Sequence, residues 1–111
     1  MYVGRDYSPQ ERIESEVLGL DFINDLDAGE TLISTAWTIA PISGVDPDPT
    51  DHLEGPSKVV TPIGGFNFTC TIQRVGGLLP GVTYRIGAVA ITTLGNTRKL
   101  WSHIRGIDDD I

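Results

Sequence analysis

Cysteine is almost absent. Cys70 stands alone among 111 residues, so no disulfide can form within the chain. With one thiol and two histidines, His52 and His103, there is no cysteine–histidine cluster to hold zinc. Apolar runs fall far short of the ~18 residues that cross a bilayer as a helix, so no membrane partner is expected. Met1 to Tyr7 lacks the apolar stretch of a secretory signal, and the expectation is a chain made in a reducing cytoplasm. Bases are scarce, 8 against 15 acids, and the formal charge of −7 argues against direct nucleic-acid binding. Helical periodicity is missing as well: no stretch of 12 or more residues carries apolar positions at helical spacing.

Hydrophobic residues make up 40% of the chain, enough for one domain with a core. Val, Ile and Thr together supply 31 residues, while 13 Gly and 7 Pro punctuate the chain every few positions. β-branched side chains suit a pleated surface, and many short strands between Gly/Pro turns define an all-β sandwich or barrel. The charge is uneven. Residues 1–54 hold 12 acids and 2 bases, whereas 55–107 hold 6 bases and no acid. Either strands from the two halves lie side by side and cancel locally, or the fold carries two oppositely signed faces suited to joining copies or partners.

Residues 1–13 are polar, contain Pro9, and read as an extended arm whose Tyr2 and Tyr7 are candidate anchors on a neighbouring subunit. Residues 14–107 read as a sandwich of six to seven strands, and 108–111 as an acidic tail. A first strand is expected over Glu14–Phe22, followed by a tight connection, with room for one helical turn, closed by Gly29. Thr31–Ala40 alternates, with Ile33, Thr35, Trp37 and Ile39 on the core face and Pro41 as its end. Residues 46–56 are proline-rich and acidic and read as an exposed loop, with Asp46, Asp48, Asp51 and His52 as candidate partner contacts. A short strand over Lys58–Ile63 ends at Gly64-Gly65. In Phe66–Gln73 the alternation puts Phe66, Phe68, Cys70 and Ile72 inside, making Cys70 a small buried apolar residue. Thr83–Thr93 places Tyr84, Ile86, Ala88 and Ala90 on one face, and Gly95-Asn96 reads as a two-residue hairpin loop leading to a last strand over Thr97–Ile104. Trp101 and His103, on the outer face of that strand, are candidate interface residues.

Little here points to catalysis. Two histidines without a glycine-flanked nucleophile turn make no catalytic triad, and the expectation is not an enzyme, with no cofactor. Asp46-x-Asp48-x-x-Asp51 lacks the third ligand and glycine of an EF-hand loop and reads as solvated acid. Asn67-Phe68-Thr69 fits a glycosylation pattern that means little without secretion.

Leu79-Pro80-Gly81-Val82-Thr83-Tyr84 resembles the turn entering the sixth strand of fibronectin type III and related immunoglobulin-like domains, where a tyrosine hydroxyl bonds back to the chain just upstream. A narrower resemblance spans roughly residues 20–100. Leu20-Asp21-Phe22-Ile23-Asn24-Asp25-Leu26, Gly29-Glu30-Thr31-Leu32-Ile33-Ser34-Thr35-Ala36-Trp37, the Gly76-Gly77, Gly81, Tyr84 turn, and Thr92-Thr93-Leu94-Gly95-Asn96-Thr97 resemble, in order, the segments of small phage proteins called fiber-tail adaptors. That resemblance implies an immunoglobulin-like virion protein at the tail or head–tail region. Its partners would be other virion proteins (tail, fiber, portal or adaptor, major capsid protein) and further copies of itself. Capsid decoration is the alternative within that class. A carbohydrate- or cell-surface-binding module, with Trp101 stacking on a sugar, is the alternative outside it.

Overall fold

The computed structural model describes residues 1–108; Asp109, Asp110 and Ile111 of the expected acidic tail lie outside the described residues. Seven strands follow in chain order: β1 (Gln10–Glu11), β2 (Ser15–Asp21), β3 (Leu32–Ser43), β4 (Leu53–Val60), β5 (Cys70–Gly76), β6 (Thr83–Thr92) and β7 (Thr97–Ile107). They form two sheets, β1-β7-β6-β3 and β2-β5-β4, and the chain is an all-β sandwich. The core lies between the sheets. Trp37, Tyr84, Ile86, Leu100 and Ile104 from one sheet meet Leu18, Leu20 and Val75 from the other, with Phe22 and Leu78 from the connections. β6 follows its alternation, since Tyr84, Ile86, Ala88 and Ala90 all point inward and are fully buried. Trp37 pairs across the ladder with Ala88, so the bulkiest core side chain lies beside one of the smallest.

The alternation of residues 66–73 selects the wrong face. Phe66 is 94% exposed, Phe68 is 52% exposed, and Cys70 is only half-buried. The inward side chains are Thr69, Thr71, Gln73 and Val75. The strand begins only at Cys70, after a turned segment in which the Gly65 N–H donates to the Pro62 carbonyl. With a period of two, one residue decides which set is buried. The polar set can go inside because each member finds a partner. Trp37 Nε1–H donates to Thr71 Oγ1 at 3.0 Å, Thr71 Oγ1 lies 2.7 Å from Thr35 Oγ1, and Gln73 Nε2 donates to the Gly55 carbonyl at 2.9 Å.

Other boundaries move too. Register shifts between Leu32 and Ser34, so Leu32 is buried and Ile33 faces out. Pro41 does not end its strand, which runs on to Ser43; β3 is a sheet edge, where a missing N–H is tolerated. β4 starts at Leu53, inside the segment expected to be an exposed loop, and ends at Val60. The last hairpin turns through residues 93–96 rather than through two residues.

Candidate interaction surfaces

The N-terminal arm joins the sandwich. Its backbone runs parallel to β7: Val3 N–H donates to the Trp101 carbonyl (3.0 Å), Trp101 N–H to that of Met1 (2.9 Å), and Tyr7 N–H to that of His103 (2.9 Å). Side chains then reach across to the other sheet. The Tyr7 hydroxyl donates to the Gly19 carbonyl at 2.7 Å, and buried Gln10 Nε2 donates to the Val75 carbonyl at 3.1 Å. The arm therefore covers an edge of β7 that would otherwise offer unpaired backbone groups. Tyr2 and Tyr7, expected to anchor on a neighbour, are engaged within their own chain.

On the outer face of the four-stranded sheet, Tyr2 packs on Trp101 and His103, with ring centroids 5.0 and 5.4 Å away. The Arg85 guanidinium lies 3.7 Å from the Trp101 ring centroid, within cation–π distance. Gly87 sits opposite Trp101 in the ladder, and a Cβ there would lie 2.4 Å from the Leu100 carbonyl oxygen and 2.7 Å from Trp101 Cβ. Only glycine lets the strands and the indole approach this closely. Arg85, Gly87, Lys99 and Trp101 line a shallow cleft of about 200 Å³. Arg85 stacks over one face of the ring on which the carbohydrate reading would seat a sugar.

At one end of the sandwich, Asp46, His52 and Tyr84 form a closed polar network rather than a docking loop. Asp46 Oδ2 accepts from the Tyr84 hydroxyl at 2.6 Å and lies 2.7 Å from His52 Nε2, and the Asp46 side chain is only 3% exposed. Tyr84 also accepts from the Leu79 N–H at 3.1 Å, the backward bond expected of it. His52 Nδ1 lies 3.1 Å from the Gly76 carbonyl. Burial opposes ionisation of Asp46, but hydrogen bonds from Tyr84, Asp48 N–H and His52 hold its pKa below the ordinary value. Burial and the Asp46 carboxylate push the Tyr84 hydroxyl up to about 12, so it is a poor nucleophile at neutral pH. The network fastens the 46–52 segment to the core. Asp46 and His52 are thus corrected from partner contacts to structural residues, while the Asp48 and Asp51 side chains remain exposed. Tyr84→Phe removes one of three hydrogen bonds to the Asp46 carboxylate and leaves the Leu79 N–H without its partner, and is expected to cost about 1–3 kcal/mol in urea unfolding.

A second buried carboxylate had no sequence expectation attached. Glu30 accepts from the Thr92 hydroxyl, from Asp27 N–H at 2.9 Å, from Asn96 Nδ2 at 2.8 Å and from Arg98 at 3.0 Å. The Thr92 hydrogen bond, followed by that of the Asp27 N–H, holds its pKa down to about 2. The only local signal is its spacing three residues after Asp27, as in a capping box. Because the folded pKa lies below the ordinary 4.5, the stabilisation from Glu30 is complete above that value and is lost as pH falls toward about 2. The urea midpoint of the wild type is expected to drop more steeply across this window than that of Glu30→Gln.

At the opposite end from Tyr84, the 22–31, 61–69 and 93–96 connections meet. Phe22 N–H donates to the Thr69 carbonyl, Leu32 N–H to that of Phe68, and Thr93 N–H to that of Thr31. Here Ile63, Phe66 and Phe68 project into solvent, with Ile33 and Leu94 also exposed. Among the described residues, no three His, Cys, Asp or Glu side chains converge as a metal-binding group. No protein-family profile matches the chain, and neither a curated protein nor a solved structure matches it significantly.

Proposed function

We propose that this chain is an immunoglobulin-like structural module of a bacteriophage virion, which joins tail and fiber components through protein contacts and performs no catalytic step. Three features support the immunoglobulin-like reading: the strand order of the two sheets, the parallel pairing of β1 with β7, and the backward hydrogen bond of Tyr84. The observation that carries the assembly role is the apolar loop. Ile63, Phe66 and Phe68 stand exposed on one short segment while threonine and glutamine occupy the core face of the next strand. Clustered large apolar side chains left in water mark a contact surface, and aromatic anchors supply much of the energy of such contacts. In this reading the module's role is mechanical.

The test is to purify particles, separate tails from heads, and quantify the 12.0 kDa chain by mass spectrometry against the major capsid protein. A few copies travelling with tails is the expected result. Many copies remaining with heads would make it a decoration protein, and absence from both fractions would overturn the virion role.

A further inference from the structure

The six bases of residues 55–107 are not all cancelled by neighbouring acids. Arg98 pairs with Asp27 and Glu30, at 3.3 and 3.0 Å. Arg85, Lys99 and Arg105 are different. They are exposed on the outer face of β6 and β7, and among the described residues none of them forms an ion pair. Among the described residues, the carboxylate paired here is Asp6, 3.4 Å from His103 Nδ1. A protein with a net charge of −7 thus presents a sheet face that is basic and aromatic.

The complementary surface is on the same molecule. β2 is an edge strand, hydrogen-bonded in its sheet only to β5. Glu14, Glu16 and Asp21 lie on it or at its start, exposed and, among the described residues, without an ion pair; the base beside them is Arg74 of β5, whose guanidinium donates to Ser15, and the Tyr7 hydroxyl of the arm sits on the Gly19 carbonyl. Dimensions agree as well as sign. At ~3.4 Å per residue, Lys99 to Arg105 spans about 20 Å and Glu14 to Asp21 about 24 Å. The basic face looks outward from one sheet and the acidic strip runs along the edge of the other, so a molecule cannot satisfy both with itself.

We infer that the Arg85–Lys99–Arg105 face of one copy seats on the acidic β2 strip of a second copy, joining identical chains head to tail. This rests on the assembly role proposed above and specifies one of its contacts. A contact between two different surfaces of the same protein is heterologous, so it repeats around a ring or along a filament.

Sedimentation velocity on the full chain tests the contact. With a net charge of −7, the default at low salt is mutual repulsion, and association there is diagnostic. At about 0.01 M salt, where screening extends ~30 Å, the mean mass is expected to rise at least about twofold over the 12.0 kDa monomer as concentration increases. At about 1 M salt, with screening at ~3 Å, it should return to monomer. The Lys99→Glu/Arg105→Glu variant, and separately the Glu14→Lys/Glu16→Lys/Asp21→Lys variant, should each stay monomeric with wild-type circular dichroism. Mixed in equal amounts, they should associate again, because each reversed surface then meets its reversed complement. A wild type that stays monomeric at low salt, or variants that associate as the wild type does, would overturn the contact. Particle fractionation keeps the two claims apart. A chain found in tails but monomeric in dilute salt overturns the contact alone. A chain that associates and recovers as described, yet is missing from particles, supports the contact and overturns the virion role.

Discussion

Trp37→Ala is expected to lower the unfolding free energy by about 3–5 kcal/mol, a large part of what a domain of this size has to lose. The indole lies in the core between the sheets, beside Ala88 on the neighbouring strand. Its Nε1–H donates to buried Thr71, so truncation opens a cavity and also removes one partner from a hydroxyl that water cannot reach. Phe66→Ala and Phe68→Ala delete side chains almost as large and should each change stability by no more than about 0.5 kcal/mol, as at ordinary surface positions. Urea unfolding of the three variants checks both halves of this expectation. A large loss at either phenylalanine would mean that β5 is buried on its other face.

Gly106→Ala should rank beside Trp37→Ala, although it adds a single carbon. A Cβ at Gly106 would sit 2.1 Å from the Leu79 carbonyl oxygen and 2.8 Å from its carbon, a clash with backbone that no rotamer change can relieve. The 77–82 turn is fastened to β7 at this point, with Gly106 N–H donating to the Val82 carbonyl and Gly81 N–H to that of Gly106, both at 2.9 Å. Either the turn lifts from β7 or the strand bends away from it, and overpacking of this kind costs about 1–3 kcal/mol or more. Gly19→Ala is the control: its Cβ would meet Ile72 at an ordinary 3.7 Å, so thermal unfolding should barely change.

Legibility in the sequence follows how local each interaction is. The alternation of β6, the inward Trp37 and the backward bond of Tyr84 depend on neighbours within a few residues, and those expectations agree with the structure. The inverted face of β5 does not. Between two alternating sets, hydropathy favours Phe66, Phe68, Cys70 and Ile72, and what decides otherwise are partners far along the chain: Trp37 for Thr71, and Gly55 for Gln73. The acidic 46–52 segment looks like a solvated loop because Tyr84, which holds Asp46, lies 38 residues away. Glu30 is hidden for the same reason, since its Thr92 partner is 62 residues distant. The arm resembled a free terminus because its hydrogen bonds are to β7, at the other end of the chain. Tyr2, Trp101 and His103 were each visible as candidate contacts, but their meeting on one face was not.

The proposed assembly role stands or falls with the apolar loop, and the Phe66→Ser/Phe68→Ser variant separates contact from folding. Both side chains are exposed, so the purified variant should melt at the wild-type temperature. Supplied in place of the wild-type chain during phage growth, it should be depleted in purified particles by more than about tenfold, the effect of losing two aromatic anchors from a contact. Incorporation at the wild-type level, in a variant that melts normally, would contradict the role given to this loop.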